Sequence, residues 1–249
     1  MIKKGTDVFQ HAGEKQSLNF DEGEIILVNK PLEWTSFDIV ARVRAMFDIK
    51  KVGHAGTLDP KATGLLILCT GKMTKQIDQF IGMEKEYTGI MELGAVTKSF
   101  DSEMELIEKK DFSKVTKAEV EEVFNSFMGA QKQLPPMFSA IKKNGRRLYK
   151  DARKGIEIAR ETRDVFIKEF LMTSFDLPFV GFRVVCSKGT YIRSLANDSG
   201  RKIGCGAYLK QLTRTRIGEF SINDAYDVTQ LHLLESKFPT GRSQQPAIV

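Results

Sequence analysis

Two hydrophobic periods alternate along the chain, one typical of strands and one of helices. Short apolar runs at residues 24–28, 65–69 and 179–186 predict buried strands. After Thr35 and Ser36, which can cap a helix, apolar residues recur at i, i+1, i+4, i+7 and i+8 and predict an amphipathic helix. Strands and helices alternate without a fixed repeat, so we predict a mixed α+β fold around a sheet rather than a solenoid.

The pattern extends along most of the chain but is missing at its two ends. Residues 1–22 are mainly polar and aperiodic, so we expect a loose leader before one folded domain at residues 23–235. Residues 236–249 contain Pro, Gly and Ser at short intervals and are expected to form a flexible tail. The other predicted elements are strands at 87–93 and 165–175, and helices at 73–81, 112–128 and 192–204.

Composition narrows the class of protein. Of 249 residues, 41% are hydrophobic and 28% are charged, which suffices for a packed core and excludes collagen-like and disordered chains. No apolar run approaches the roughly 20 residues that a membrane helix needs. The N-terminus lacks the apolar segment of a secretory signal, so we expect a cytoplasmic protein with no membrane partner.

Three cysteines, Cys69, Cys186 and Cys205, lie far apart in apolar or glycine-rich surroundings. An odd number of separated cysteines indicates reduced thiols rather than a disulfide framework. Buried small side chains are the favoured interpretation because Cys is among the most buried residue types, and reactive thiols are the alternative.

Basic residues are concentrated in two segments of the chain. The net charge is +6, yet residues 132–163 alone contain ten basic and three acidic residues, an excess of +7. Residues 201–216 add five basic residues and no acid. Such a surface favours a polyanion, and tyrosines among the basic groups could stack on unpaired bases. Nucleic acid is therefore the first candidate partner, and an ordinary solvated face is the alternative.

One glycine-punctuated loop contains candidate catalytic groups. Pro60 disfavours a helical backbone at Asp59, and the glycines at 53, 56 and 64 allow tight turns and close approach of a ligand. A carboxylate held on such a loop is a plausible catalytic group, although Asp-Pro turns are common. His54 lies in the same loop as either a packing residue or a stacking group.

Cofactor and metal signatures are weak. The run from Gly64 to Met73 resembles a phosphate-binding loop only superficially, because its glycine spacing is too long and Met73 stands where Ser or Thr is needed. His and Cys residues show no metal-ligand spacing. We therefore expect chemistry without a metal or a cofactor.

Residues 53–66 read GHAGTLDPKATGLL and closely resemble the catalytic motif of the bacterial tRNA pseudouridine synthase B family. The resemblance extends over residues 24–220. Further matching blocks, in the family's order, are Asn29-Lys30-Pro31 with Thr35-Ser36, Lys85-Glu86-Tyr87, residues 135–142 (PPMFSAIK), residues 186–195 (CSKGTYIRSL) and residues 204–207 with Leu212.

The resemblance implies the pseudouridine synthase fold, with a largely antiparallel central sheet flanked by helices and loops, and makes residues 23–235 its catalytic domain. It implies isomerisation of the uridine at position 55 in the T loop of tRNA to pseudouridine. The base leaves through its N1–C1′ bond, rotates and rejoins through C5, so no cofactor is needed. Whether the aspartate attacks C1′ or removes a C2′ proton stays open, and we favour the second.

The resemblance also assigns roles to individual residues. Asp59 matches the essential aspartate, and Arg193 matches the arginine that pairs with it. Tyr87 matches the ring that packs on the target base and assists proton transfer at C5. Tyr191 and Leu212 match residues of the base pocket. His54 matches the residue that enters the RNA loop when the uridine flips out, and the candidate phosphate contacts are Lys30, Lys142, Lys143, Arg146, Arg147 and Lys188.

The chain departs from the family pattern at its end. Only 29 residues follow Phe220, too few for the C-terminal RNA-binding domain that many members carry. We expect a monomer that acts on the tRNA T arm without guide RNA or protein partner. The rival hypotheses are a non-catalytic RNA-binding protein and a guide-RNA-dependent enzyme of the archaeal or eukaryotic type.

Overall fold

A computed structural model describes residues 18–139, 142–143, 146–147, 152, 155–156 and 158–234. Most of the expected leader and the whole expected tail lie outside these residues. The chain forms two compact units: unit 1 comprises Met1–Gly82 and Arg216–Val249, and unit 2 comprises Met83–Thr215. Within the described residues, no helix has the length and apolar character to cross a membrane.

Strands dominate both units. The α-helices with defined bounds among the described residues are α1 (Ser36–Phe47), α2 (Ile77–Gly82), α3 (Lys117–Asn125) and α4 (Ile192–Ile203). The strands are β1 (Ile25–Lys30), β2 (Val52–His54), β3 (Ala62–Thr70), β4 (Lys85–Leu93), β5 (Ala95–Thr97), β6 (Leu106–Lys109), β7 (Gly129–Gln133), β8 (Lys142–Lys143), β9 (Arg146–Arg147), β10 (Arg163–Asp176), β11 (Phe179–Cys186), β12 (Ala207–Ile217), β13 (Phe220–Ser221) and β14 (Tyr226–Asp227).

Unit 1 is built on β1, which lies between two partners. β14 pairs with it in parallel and β3 in antiparallel register, and β2 pairs with β3. The core lies between these strands and α1, whose buried positions Ile39, Val43 and Phe47 follow the predicted helical period. Leu18 and Phe20 stand within the expected leader, yet both pack in this core, so the folded chain already includes residue 18.

The predicted start of α1 is confirmed by its cap. The Thr35 hydroxyl accepts a hydrogen bond from the Asp38 backbone N–H at 3.1 Å, and the Asp38 carboxylate accepts one from the Thr35 N–H at 2.8 Å. This reciprocal arrangement is a capping box, which satisfies two amide groups that the first turn would leave without partners. The helix therefore begins directly after Thr35.

Unit 2 contains a sheet with strand order β12, β4, β11, β10 and β7. The β4–β11, β10–β11 and β7–β10 ladders are antiparallel. α3 packs against β10 and α4. Its Phe124 ring stacks on Phe170 with centroids 3.8 Å apart, and Phe170 meets the edge of Phe182 at 5.7 Å. An aromatic cluster therefore joins helix to sheet in unit 2.

The predicted fold class, a mixed α+β fold with a mostly antiparallel sheet and few helices, is confirmed. Of the strand pairs with a described register, only β1–β14 is parallel. The helix predicted at 73–81 is a 3₁₀ helix at Gly71–Gln76 followed by α2, and the one predicted at 112–128 is the shorter α3. β12 was not predicted, because its polar residues Lys210, Gln211, Thr213 and Arg214 obscure the strand period.

Candidate active site

The loop that contains Asp59 is anchored on both sides. Before it, Leu58 is buried, and its backbone N–H and C=O bond to the Ser36 hydroxyl at 2.9 and 3.2 Å. After it, the Pro60 carbonyl accepts a hydrogen bond from the Glu33 N–H at 2.9 Å. The Asp59 carbonyl itself accepts one from the Ala62 N–H at 3.0 Å. The Asp59 side chain is half-buried on a backbone that these contacts hold in place.

The other two expected site residues of unit 1 lie on strands. His54 ends β2 and is half-buried, opposite Leu68 in the register with β3. Lys30 ends β1 and is fully buried, and its ammonium donates to the Pro31 and Trp34 carbonyls at 2.9 and 2.6 Å. The expectation that Lys30 contacts the RNA backbone is wrong for this structure, because the ammonium closes a turn inside the protein.

In unit 2, Arg193 is buried near the start of α4 and is held by several acceptors. Its guanidinium donates to the Ser99 carbonyl at 3.1 Å and the Phe138 carbonyl at 2.7 Å. Its Nε lies 3.5 Å from the Asp101 carboxylate, which is equally buried. Asp101 in turn accepts a hydrogen bond from the Ser99 hydroxyl at 2.6 Å. A guanidinium with this many fixed partners has one orientation.

Tyr87 lies on the same face of β4 as Lys85, and both are buried. A fully buried arginine on the neighbouring strand β12, Arg214, hydrogen-bonds to Tyr87. Burial lowers the pKa of Arg214, and the contact with Tyr87 opposes that shift. Burial also lowers the pKa of Lys85 to about 8, assisted by the charge of Arg214. Tyr87 is thus set among cationic side chains.

The remaining expected residues of unit 2 are placed as follows. Tyr191 directly precedes α4 and is half-buried, with the Arg163 guanidinium 5.6 Å from its ring centroid. Leu212 is buried on β12, and Lys188 is exposed in the turn after β11. Lys142 and Lys143 pair with Arg147 and Arg146 in the β8–β9 hairpin, but the side chains of these four lie outside what the structure describes.

The structure therefore groups the expected residues by unit. Asp59 and His54 belong to the same segment of unit 1, whereas Tyr191 and Arg193 share the start of α4 in unit 2. Two further residues, Asp101 and Arg214, contact Arg193 and Tyr87 and were not predicted. No local sequence signal identified either residue. Asp101 is the first of many acidic residues in its segment, and Arg214 is one of five basic residues in segment 201–216.

Comparison with known proteins identifies the class and then the family. A family model described as TruB family pseudouridylate synthase, N terminal domain, matches residues 44–192. By class, the protein is a pseudouridine synthase. A curated protein named tRNA pseudouridine synthase B from Chloroherpeton thalassium is 47% identical over 229 residues, covering 90% of this chain and 94% of that protein. The chain belongs to the TruB family.

Two further comparisons agree with this result. A protein of the same name from Flavobacterium johnsoniae is 46% identical over 215 residues, which cover 84% of this chain and 94% of the relative. Among solved structures, a chain of a Cbf5-Nop10-Gar1 complex is 28% identical with a TM-score of 0.67. The match covers 85% of this chain and 54% of that chain, so this protein spans about half its length.

Proposed function

We propose that this protein converts the uridine at position 55 in the T loop of tRNA to pseudouridine, acting as a monomer without guide RNA, protein partner or cofactor. The observation that carries the proposal is the 47% identity, along 90% of the chain, to a protein named tRNA pseudouridine synthase B. The firmly anchored loop around Asp59 supports it, because a reacting carboxylate needs a fixed position.

The reaction exchanges one glycosidic bond for another. The target nucleotide leaves its stack and enters the protein, which costs a few kcal/mol of stacking. Its N1–C1′ bond breaks, the base turns while bound, the C5–C1′ bond forms, and the C5 proton is lost while N1 gains one. Asp59 acts at the sugar, either as nucleophile at C1′ or as base towards the C2′ proton, and we favour the second.

The other roles assigned by resemblance are part of the same proposal. Arg193 keeps Asp59 ionised and oriented, because a guanidinium favours the charged form of a carboxylate. Tyr87 packs on the base and assists loss of the C5 proton. Tyr191 and Leu212 line the base pocket, and His54 fills the space that the flipped nucleotide leaves. The backbone phosphates meet Lys142, Lys143, Arg146, Arg147 and Lys188.

A tritium-release assay tests the chemistry. T-arm RNA labelled at uridine C5 should release tritium to water in the presence of the wild-type protein. Asp59→Asn should slow release by about a thousandfold or more, because the reacting carboxylate is lost. Asp78→Asn removes an exposed carboxylate from the same unit and should release tritium at the wild-type rate. Normal release by Asp59→Asn would remove Asp59 from the mechanism.

A second comparison tests position and partners. The purified chain should modify an isolated T-arm stem-loop, and an RNA with cytidine at position 55 should release no tritium. Because a similar solved chain occurs in a complex with other proteins, a need for partners is the competing hypothesis. Activity only after addition of guide RNA or cell extract would favour that hypothesis.

A further inference from the structure

Gln133, the last residue of β7, forms two hydrogen bonds with the backbone of Tyr191. Its side-chain Nε2 donates to the Tyr191 carbonyl at 3.0 Å, and its Oε1 accepts from the Tyr191 N–H at 2.7 Å. The two residues are 58 positions apart in the chain, and Gln133 is 5% exposed. One buried amide therefore serves both backbone groups of a single residue.

These two hydrogen bonds lie where α4 begins. Tyr191 is the residue before the helix, and its side chain makes no capping hydrogen bond. Its carbonyl accepts the first helical bond from Leu195 at 3.1 Å as well as the bond from Gln133. Because the first turn of a helix leaves its amides without internal partners, contacts from outside decide its direction. Gln133 supplies such a contact two residues before Arg193.

The segment that follows Gln133 continues the attachment. The Ser194 hydroxyl donates to the Leu134 carbonyl at 2.9 Å, and Arg193 donates to the Phe138 carbonyl at 2.7 Å. Between these acceptors stand Pro135 and Pro136, whose rings restrict the backbone. Three consecutive contacts thus join a stiff segment to the first turn of α4.

We propose that Gln133 is a positioning residue for catalysis, which holds the start of α4 so that Tyr191 and Arg193 stand in reactive geometry. The inference rests on the proposed function, since that function assigns these two residues to the site. A glutamine is suited to the task because its side chain carries a donor and an acceptor together. Leucine offers neither, and an ionised glutamate offers only acceptors, one of which would face the Tyr191 carbonyl.

The experiment compares Gln133→Leu and Gln133→Glu with wild type in the tritium-release assay on T-arm RNA. Gln133→Leu should lower kcat by about 10- to 100-fold with KM within about threefold of wild type, because small displacements of reacting groups are costly. Gln131→Glu, on the same strand, is the matched control and should behave as wild type. Circular dichroism at the assay temperature establishes that each variant is folded.

The pH profile separates positioning from simple stabilisation. In Gln133→Glu, burial raises the carboxyl pKa, and the protonated acid regains a donor for the Tyr191 carbonyl. Its kcat relative to wild type should therefore rise by about tenfold when pH falls from 8.5 to 6, within one protein preparation. The ratio of the Gln131→Glu kcat to the wild-type kcat should not change over the same pH range.

The outcomes distinguish this inference from the proposed function. If wild type releases tritium while folded Gln133→Leu keeps its kcat, or the Gln133→Glu ratio is independent of pH, Gln133 is not a positioning residue. If Gln133→Leu does not fold, the pH dependence of kcat in Gln133→Glu tests the proposal without it. If wild type itself releases no tritium from T-arm RNA, the proposed function fails instead.

Discussion

Burial affects the ionisable residues of the two units in different ways. Arg193 loses its water but gains the Asp101 carboxylate, and a buried charge is tolerated when it is paired and hydrogen-bonded. Lys85 donates to the Met83 carbonyl at 2.6 Å, yet desolvation dominates and lowers its pKa to about 8. The cysteines are free and buried as predicted, and desolvation raises the pKa of Cys69 and Cys186 to about 12.

Lys85 should make stability depend on pH in a defined window. Its pKa of about 8 in the folded protein lies below the ordinary lysine value of 10.5, which applies to the unfolded chain. Below pH 8 the Lys85 amine is protonated in both the folded and the unfolded protein. Between pH 8 and 10.5 it is protonated to a greater extent in the unfolded protein. The free energy of unfolding of wild type should therefore rise across this window, relative to Lys85→Met, by about 3 kcal/mol.

Urea denaturation of both proteins at pH 7, 8, 9 and 10 measures this difference. The same substitution at the exposed Lys75 is the control, and its difference from wild type should not change with pH. If the difference in free energy of unfolding between Lys85→Met and wild type also stayed constant with pH, burial would not lower the pKa of the Lys85 ammonium.

At the scale of elements, the position of Asp59 depends on the start of a helix. Thr35 and Ser36 are adjacent, but their hydroxyls form hydrogen bonds with different parts of the chain. Thr35 caps α1, whereas Ser36 holds both backbone groups of Leu58, the residue before Asp59. The helix start and the candidate catalytic loop are thus joined through a single buried hydroxyl, which allows stability and activity to be separated by substitution.

Thr35→Ala and Ser36→Ala form a matched pair. Thr35→Ala should lower the free energy of unfolding by about 1 kcal/mol and leave kcat within about twofold. Ser36→Ala should cost about 1 to 3 kcal/mol, because Leu58 loses a buried partner, and should also lower kcat by about tenfold. Thermal unfolding and tritium release measure the two effects. Equal kcat values for the two variants would contradict the link between Ser36 and the Asp59 loop.

Prediction from sequence succeeded where one element has one strong period. The strand at Phe179–Cys186 and the helix at Ile192–Ile203 were predicted almost to the residue. The strand is a short, mostly apolar run, and the helix places its apolar residues Ile192, Leu195 and Ala196 on one buried face. β12 was missed because Arg214 occupies a buried position, and a buried cation looks like a solvent-facing one in a sequence. For the same reason Lys30 was wrongly assigned to the RNA surface.

At the scale of the whole molecule, charge distribution predicts how binding responds to salt. Residues 132–163 hold more excess positive charge than the entire chain, and part of this segment is the β8–β9 hairpin. Each phosphate that a lysine neutralises releases counterions, so the affinity falls with salt in proportion to the number of contacts. The hairpin should therefore control the salt dependence of RNA binding.

Lys142→Gln combined with Lys143→Gln should reduce the slope of log affinity against log salt by about 1.5, because two phosphate contacts are lost. Fluorescence anisotropy of labelled T-arm RNA over a series of KCl concentrations measures it. Lys109→Gln combined with Lys110→Gln removes the same charge at the exposed end of β6, in acidic surroundings, and should leave the slope unchanged. Equal slopes for both double variants would mean that only total charge matters.

The sequence by itself determined the fold class, through the order of its elements. It also determined most strands and helices apart from β12, and the loop that contains Asp59, since each of these is encoded in a contiguous segment. The tertiary structure decided which distant groups meet: Gln133 reaches Tyr191 across 58 positions, and Arg193 reaches the Ser99 carbonyl across 94. Periodicity reports which face of an element is buried, but not which element covers it. The partners of Tyr87 and Arg193 therefore emerged only from the folded chain.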